Sequence, residues 1–319
     1  MSASSAALRL GTRRSQLAMT QSQQVADALA AHHADLTVDL VPIVSQGDQL
    51  SGSLAKHGGK GLFTEALETR LLDDAIDLAV HSLKDLPVQM RAPLTVAAYP
   101  ARADARDALI SDVADHLDDL PAGAELLTGS LRRTSQILAR RPDLRVTPIR
   151  GNVDTRLRRW RASGAAGVIL AQAGLVRLGL DRRDFDGRPL PIHPIPPDVL
   201  LPAPGQGTLA LQCVRDRSAA ARCAALDDPA TRRAAEAERH IVAAFGADCT
   251  LPLAAWARPD DDDPDALRLD AAIALTDGSR IARGTGVGAT PAQAADACLA
   301  AMRRDGADAV RAALGGNAS

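Results

Sequence analysis

Asp85 follows Lys84 in the segment His81-Ser82-Leu83-Lys84-Asp85-Leu86-Pro87, directly after a strand-like run, Ile76–Val80. A carboxylate beside a lysine can act as a general acid or base, or place negative charge against a developing cation. In open α/β sheets ligands bind beyond the carboxyl ends of the strands, so the location suits chemistry. A surface ion pair is the plain alternative. Lysine usage weighs against it: of 37 basic residues only Lys56, Lys60 and Lys84 are lysine. Where an arginine-biased chain keeps a lysine, the compact ammonium has a use that the guanidinium lacks.

A second group is made of arginines: Arg13 after a predicted first strand, then Ser130-Leu131-Arg132-Arg133, then Arg150-Gly-Asn-Val-Asp-Thr-Arg156. Ser130 is placed to cap a helix, which puts Arg132 and Arg133 in its first turn. Cations there oppose the helix dipole, so helix formation does not ask for them. A bound polyanion does, since guanidinium forks pair with carboxylates or phosphates. The alternative is a solvated face, the reading given to Arg140 and Arg141.

Two loops complete the set. Lys56-His-Gly-Gly-Lys60-Gly61 precedes a predicted helix. Its glycines free the backbone to approach an anion at a helix start. It lacks the Ser or Thr that follows the lysine in a nucleotide P-loop; a flexible surface loop is the alternative. Cys249 lies in Phe245-Gly-Ala-Asp-Cys-Thr-Leu-Pro-Leu253, a short loop-like stretch between a helix and a strand that is expected to expose a thiol. Cys213, Cys223 and Cys298 sit in apolar or Ala-rich runs and read as core. No CxxC pair occurs, so no metal site is expected. No companion His and Asn pattern supports a protease-type dyad. Asp260–Asp263 reads as a solvated loop.

The elements that carry these residues follow from periodicity. Leu8–Gly11, Thr37–Val44 and Ile76–Val80 read as strands, and Ser15–Ala31 and a segment around Leu62–Leu71 as helices. Alternation of this kind predicts a mostly parallel sheet with covering helices. The pattern restarts near residue 104. Gly11-Thr-Arg-Arg-Ser-Gln-Leu17 resembles Gly129-Ser-Leu-Arg-Arg-Thr-Ser-Gln-Ile137, and Ile76–Val80 resembles Ala166–Ala171. Pro191–Gly207 holds six prolines and reads as a crossover without regular structure. Residues 229–246 read as a helix, Leu267–Val287 as a hairpin around Asp277-Gly278, and Pro291–Leu314 as one or two helices.

Composition bounds the function. The 319 residues carry a net charge of −2 and only 2% aromatics. That excludes a global basic field or a stacking platform for nucleic acid. No apolar run is long enough to span a membrane. The start shows no basic segment before an apolar run, so no secretory signal is expected. Free thiols suit a reducing cytoplasm.

Together these segments resemble the porphobilinogen deaminase family over nearly the whole chain. The strings that carry the likeness are LRLGTRRSQLA (8–18), LAKHGGKGLFT (54–64), DLAVHSLKDLP (77–87), SLRR (130–133), IRGNVDTRL (149–157), PAPGQG (202–207) and DCTLPL (248–253). The resemblance implies an α/β protein of three domains. Two are like periplasmic binding proteins and flank a cleft, 1–101 with 206–226 and 102–205. The third, 227–319, is a small α+β domain. It implies a cytoplasmic, monomeric transferase of tetrapyrrole synthesis, with no nucleic-acid or membrane partner. Four porphobilinogen molecules are joined head to tail, ammonia is released, and hydroxymethylbilane leaves by hydrolysis. The implied cofactor is a dipyrromethane primer on Cys249. Asp85 matches the catalytic aspartate. Lys84, Ser130, Arg132, Arg133, Arg150 and Gln206 match cofactor-binding positions, Arg13, Ser15 and Arg156 substrate-binding ones, and Lys56 and Lys60 a mobile loop. Two departures stand out: Gly129 precedes Ser130, and Ala247-Asp248 precede the cysteine. The competing reading is a non-catalytic, periplasmic-binding-type protein for small anions.

Overall fold

The computed structural model describes residues 7–44, 64–182, 184–246 and 251–316. Lys56, Lys60 and Cys249, with Ala247 and Asp248, lie outside the described residues.

Strand β1 (Leu8–Arg13) leads into helix α1 (Gln16–His32). Ser15 caps that helix, its hydroxyl accepting from the Ala18 amide at 3.3 Å. Val25, Ala26 and Leu29 are buried, the helical spacing that turns one face to a core. Then come β2 (Val38–Ile43), α2 (Glu65–Leu72), β3 (Leu78–Ser82) and β4 (Leu94–Ala98). The next stretch holds β5 (Asp107–Ile110), β6 (Glu125–Leu127), α3 (Leu131–Arg140), β7 (Arg145–Thr147) and α4 (Val153–Ser163). It continues with β8 (Gly167–Ala171), α5 (Gln172–Arg177) and β9 (Ile192–Ile195). After it lie β10 (Leu209–Val214), α6 (Ser218–Cys223) and α7 (Pro229–Ala244). The last elements are β11 (Leu253–Pro259), β12 (Leu267–Ala274), β13 (Ile281–Gly288), α8 (Pro291–Arg304) and α9 (Ala307–Gly316).

The strands form three sheets, ordered β2-β1-β3-β10-β4, β7-β6-β8-β5-β9 and β11-β12-β13. In the first, β1 is parallel to β2 and β3, and β10 runs antiparallel to β3 and β4. In the second, β6 is parallel to β7 and β8, and β5 runs antiparallel to β8 and β9. The two sheets therefore repeat one plan, with β1 answered by β6 and β3 by β8. Both sequence echoes fall on these equivalent places. Gly11–Leu17 runs from β1 into α1 as Gly129–Ile137 runs from β6 into α3. The third sheet is wholly antiparallel.

The chain forms two compact units, 1–102 with 208–232 and 103–207 with 233–319. The first encloses a core of Leu8, Leu10, Leu29, Leu78 and Leu211, in which Cys213 and Cys223 are also buried. The second contains the middle sheet, with Ile110, Leu157 and Val168 at its centre, and the last sheet, whose core includes Leu269, Ile273 and Cys298. Each such fully buried aliphatic side chain stabilises by about 1.5–3 kcal/mol relative to exposure.

Two expectations need correction. β3 begins at Leu78, because Asp77 is held by Arg9: its carboxylate accepts from the Arg9 amide at 2.8 Å and Nε at 3.0 Å. The proline-rich segment is not without regular structure, since Ile192–Ile195 pairs with β5. Pro194 is tolerated there because β9 is an edge strand, where a missing N–H leaves no ladder position empty.

Candidate active site

In the first unit, Lys84 and Asp85 form a single 3-10 turn after β3. Leu83 and Leu86 on either side are 2% and 5% exposed, while Lys84 and Asp85 are exposed. The turn is thus pinned by two leucines and by the Leu83 amide on the Thr208 carbonyl at 3.0 Å. The lysine and the aspartate are left projecting at the carboxyl end of β3. Arg13 ends the neighbouring parallel strand β1, and its charge reaches His81. Ser15 spends its hydroxyl on the α1 cap.

Behind the turn lies a buried polar chain. Gln212 Nε2 donates to Glu68 Oε1 at 3.0 Å, which turns Oε1 of Gln212 toward His81. His81 Nε2 donates to that oxygen at 2.9 Å. Burial pulls the imidazole down to about 4, with the Gln212 hydrogen bond opposing, so it is neutral near pH 7.

In the second unit, the predicted residues follow the carboxyl ends of parallel strands β6 and β7. Ser130 stands at the N-cap of α3 but makes no capping hydrogen bond. Its neighbour Gly129 is required by a close approach: a β-carbon there would lie 2.6 Å from the Ile149 carbonyl oxygen. Arg150 follows β7 and is exposed; Arg156, half-buried on α4, donates Nε to the Gly151 carbonyl at 2.7 Å.

Arg132, Arg133 and Gln206 are brought together by a residue that sequence reading missed, Asp107. Arg132 Nη1 donates to Asp107 Oδ2 at 2.7 Å and to the Leu201 carbonyl at 2.8 Å. Arg133 donates to Oδ1 through Nε at 3.0 Å and Nη2 at 2.7 Å, and through Nη1 to the Ile169 carbonyl at 2.8 Å. Gln206 Nε2 donates to the same Oδ1 at 2.9 Å and to the Ala105 carbonyl at 2.7 Å. Asp107 is 0% exposed and both guanidiniums are nearly so. Burial pushes the carboxyl up, but the two guanidiniums outweigh it and hold it well below the usual carboxylate range. Part of the anion that the first turn of α3 calls for is therefore internal. The cluster still carries two cations against one carboxylate, and the buried Nε of Arg132 has no partner among the described residues.

Arg177, at the end of α5, was also missed. It donates Nη2 to the Gly207 carbonyl at 2.7 Å. Burial alone pulls its guanidinium down to about 10, with no carboxylate raising it. Its signal in the sequence is one cation set in the apolar run Ala-Gly-Leu-Val-Arg-Leu-Gly-Leu (173–180). These observations fit an acidic ligand such as a dipyrromethane with carboxylate arms. An orphaned buried donor, a cationic excess and a half-buried guanidinium without an acid are what such arms would satisfy.

A family model described as "Porphobilinogen deaminase, dipyromethane cofactor binding domain" matches residues 8–222. The porphobilinogen deaminase of Bordetella parapertussis is 45% identical over 313 residues, covering 96% of each chain. That of Acidothermus cellulolyticus is 43% identical, covering 96% of this chain and 89% of its own. The Syntrophus aciditrophicus protein of that name is 43% identical over 257 residues, 80% of this chain and 82% of its own. With a match of this extent resting on both sheets and on the loops that carry Asp85 and the arginines, the chain belongs to the porphobilinogen deaminase family.

Proposed function

We propose that the chain joins four porphobilinogen molecules head to tail on a dipyrromethane primer held through Cys249. It releases ammonia at each addition and hydroxymethylbilane by hydrolysis. One observation carries the reading: Asp85 is pushed out beside Lys84 at a strand's carboxyl end by two buried leucines. When bound, the primer supplies the pyrrole carbon to which substrate is added. The chain's residues do the rest. As the aminomethyl C–N bond breaks and ammonia leaves, Asp85 places its negative charge beside the pyrrole ring that becomes cationic. It then serves as proton acceptor when the new C–C bond forms. Arg132, Arg133, Arg150 and Ser130 hold primer carboxylates, with Lys84 alongside and Gln206 behind the arginines on Asp107. Arg13, Ser15, Arg156 and Arg177 hold those of the substrate.

Division into three domains, 1–101 with 206–226, 102–205 and 227–319, is supported by the three sheets. We place the protein in the cytoplasm as a monomer. The three described cysteines are free, which suits a reducing compartment, and no described helix is long and apolar enough to cross a membrane.

The test is the intact mass of denatured protein, before and after incubation with porphobilinogen, beside Cys249→Ser. An excess of two deaminated porphobilinogen units, lost in the variant, supports the reading. An unmodified wild type after incubation overturns it in favour of a non-catalytic anion-binding protein.

A further inference from the structure

We propose that Asp107 is a positioning residue for ligand carboxylate binding at the first turn of α3, and that Gln206 acts through it. The inference rests on the function proposed above and names residues that bind no ligand themselves.

Asp107 is fully buried, and among the described residues its carboxylate accepts from Arg132 on Oδ2 and from Arg133 and Gln206 on Oδ1. The geometry has a consequence for each guanidinium. Arg133 is anchored through all three of its nitrogens. Arg132 is anchored through Nη1 alone, which leaves its buried Nε without a partner among the described residues. A single carboxylate thus immobilises two cations but neutralises one. The remaining charge and the orphaned donor sit at a helix N-terminus, where the dipole also favours an anion. Orphaned buried donors are rare because each is costly, and they persist where a ligand satisfies them.

Gln206 fits this reading better than direct ligand contact. Its amide donates to Asp107 and to the Ala105 carbonyl, which uses both N–H bonds. Its backbone is fixed as well, with the amide on the Ala203 carbonyl at 3.0 Å. It therefore helps Arg133 hold Oδ1 of the Asp107 carboxylate in place, and so keeps the carboxylate from rotating to meet Arg132 Nε. A carboxamide does this without adding charge; a glutamate there would cancel the cationic excess.

The experiment compares wild type, Gln206→Met and Asp107→Asn. It measures the rate at which each gains the two-unit primer mass on incubation with porphobilinogen, per folded molecule by circular dichroism. Gln206→Met keeps the charges and the shape and removes one charge-assisted hydrogen bond; primer gain should slow about tenfold. Asp107→Asn should slow it about a hundredfold where it folds. A merely structural role would lower the folded fraction and the melting temperature but leave loading per folded molecule at the wild-type rate, and that result in Gln206→Met overturns the proposal. A wild type that gains no mass fails differently: it removes the proposed function, and this inference with it.

Discussion

His81 Nε2 and Gln212 Oε1 meet at 2.9 Å across the antiparallel pair β3 and β10, entirely inside the first unit. The bond by itself favours the charged imidazole, but burial outweighs it and pulls His81 from 6.5 to about 4. In the unfolded chain the same ring takes a proton below its ordinary value, whereas the folded one waits until about 4. The stability linked to His81 is therefore complete above pH 6.5 and is lost as pH falls from there to 4. The full loss is on the order of 3 kcal/mol, from a difference of roughly two to three pH units. Melts of wild type and His81→Gln between pH 7 and pH 4 should show a shallower decline in the variant. Parallel curves would remove His81 from the acid sensitivity.

Asp85 is exposed and supports no core contact, so its replacement should separate chemistry from folding. Asp85→Ala should keep the melting temperature within about 2 °C, as expected of a surface site, and should still carry the primer mass. Turnover should fall by at least about a hundredfold, the upper range for a lost general acid–base group. Wild-type turnover in this variant would sink the assignment.

The legible part of the molecule was what local spacing can show. Leu83-Lys84-Asp85-Leu86 reads directly as two anchors around two projecting charges, and the structure has that pattern. The echo of Gly11–Leu17 in Gly129–Ile137 marked two equivalent strand-to-helix junctions before any sheet order was known. Asp107 was invisible for a physical reason. Its partners are 25, 26 and 99 residues away, so no periodicity connects them. In sequence it is one more acid after one more arginine, at the start of an ordinary strand. Edge strand β9 was missed because proline punctuates it, and only its place at the edge of a sheet makes the proline acceptable.

Gly129 should tolerate no side chain. A β-carbon at 2.6 Å from the Ile149 carbonyl oxygen meets backbone that belongs to the segment after β7, not a flexible side chain. Gly129→Ala should therefore destabilise by about 1–3 kcal/mol, the usual range for overpacking. Because the strain falls beside Ser130, primer loading should fall with it. Denaturant unfolding checks the first effect and intact mass the second; an unchanged midpoint would show that the junction can relax.

Arg150 and Arg132 should fail in different ways, although both are assigned to primer carboxylates. Arg150 is exposed, so Arg150→Leu should weaken loading while stability stays within about 0.5 kcal/mol, the ordinary bound for surface substitutions. Arg132→Leu removes one of the two cations that hold the buried Asp107 carboxylate. Breaking a buried pair on one side costs about 3–5 kcal/mol, so loading and stability should fall together. Equal stability losses in the two variants would contradict the burial difference.

Arg177 offers the sharpest separation of a ligand contact from an internal one. Its only hydrogen bond to the described residues is to the Gly207 carbonyl, and its half-buried guanidinium has no acid beside it. A glutamine can reach for the same carbonyl but brings no charge. If the positive charge were needed only for that hydrogen bond, Arg177→Gln would be nearly silent, and it would even gain from removing a half-buried cation. If the charge is kept for a substrate carboxylate, the variant should fold at least as stably as wild type while KM for porphobilinogen rises at least about tenfold, the worth of one charge-assisted hydrogen bond. Measuring both on the same preparation decides between them: stability gained with KM unchanged would leave Arg177 as a structural residue.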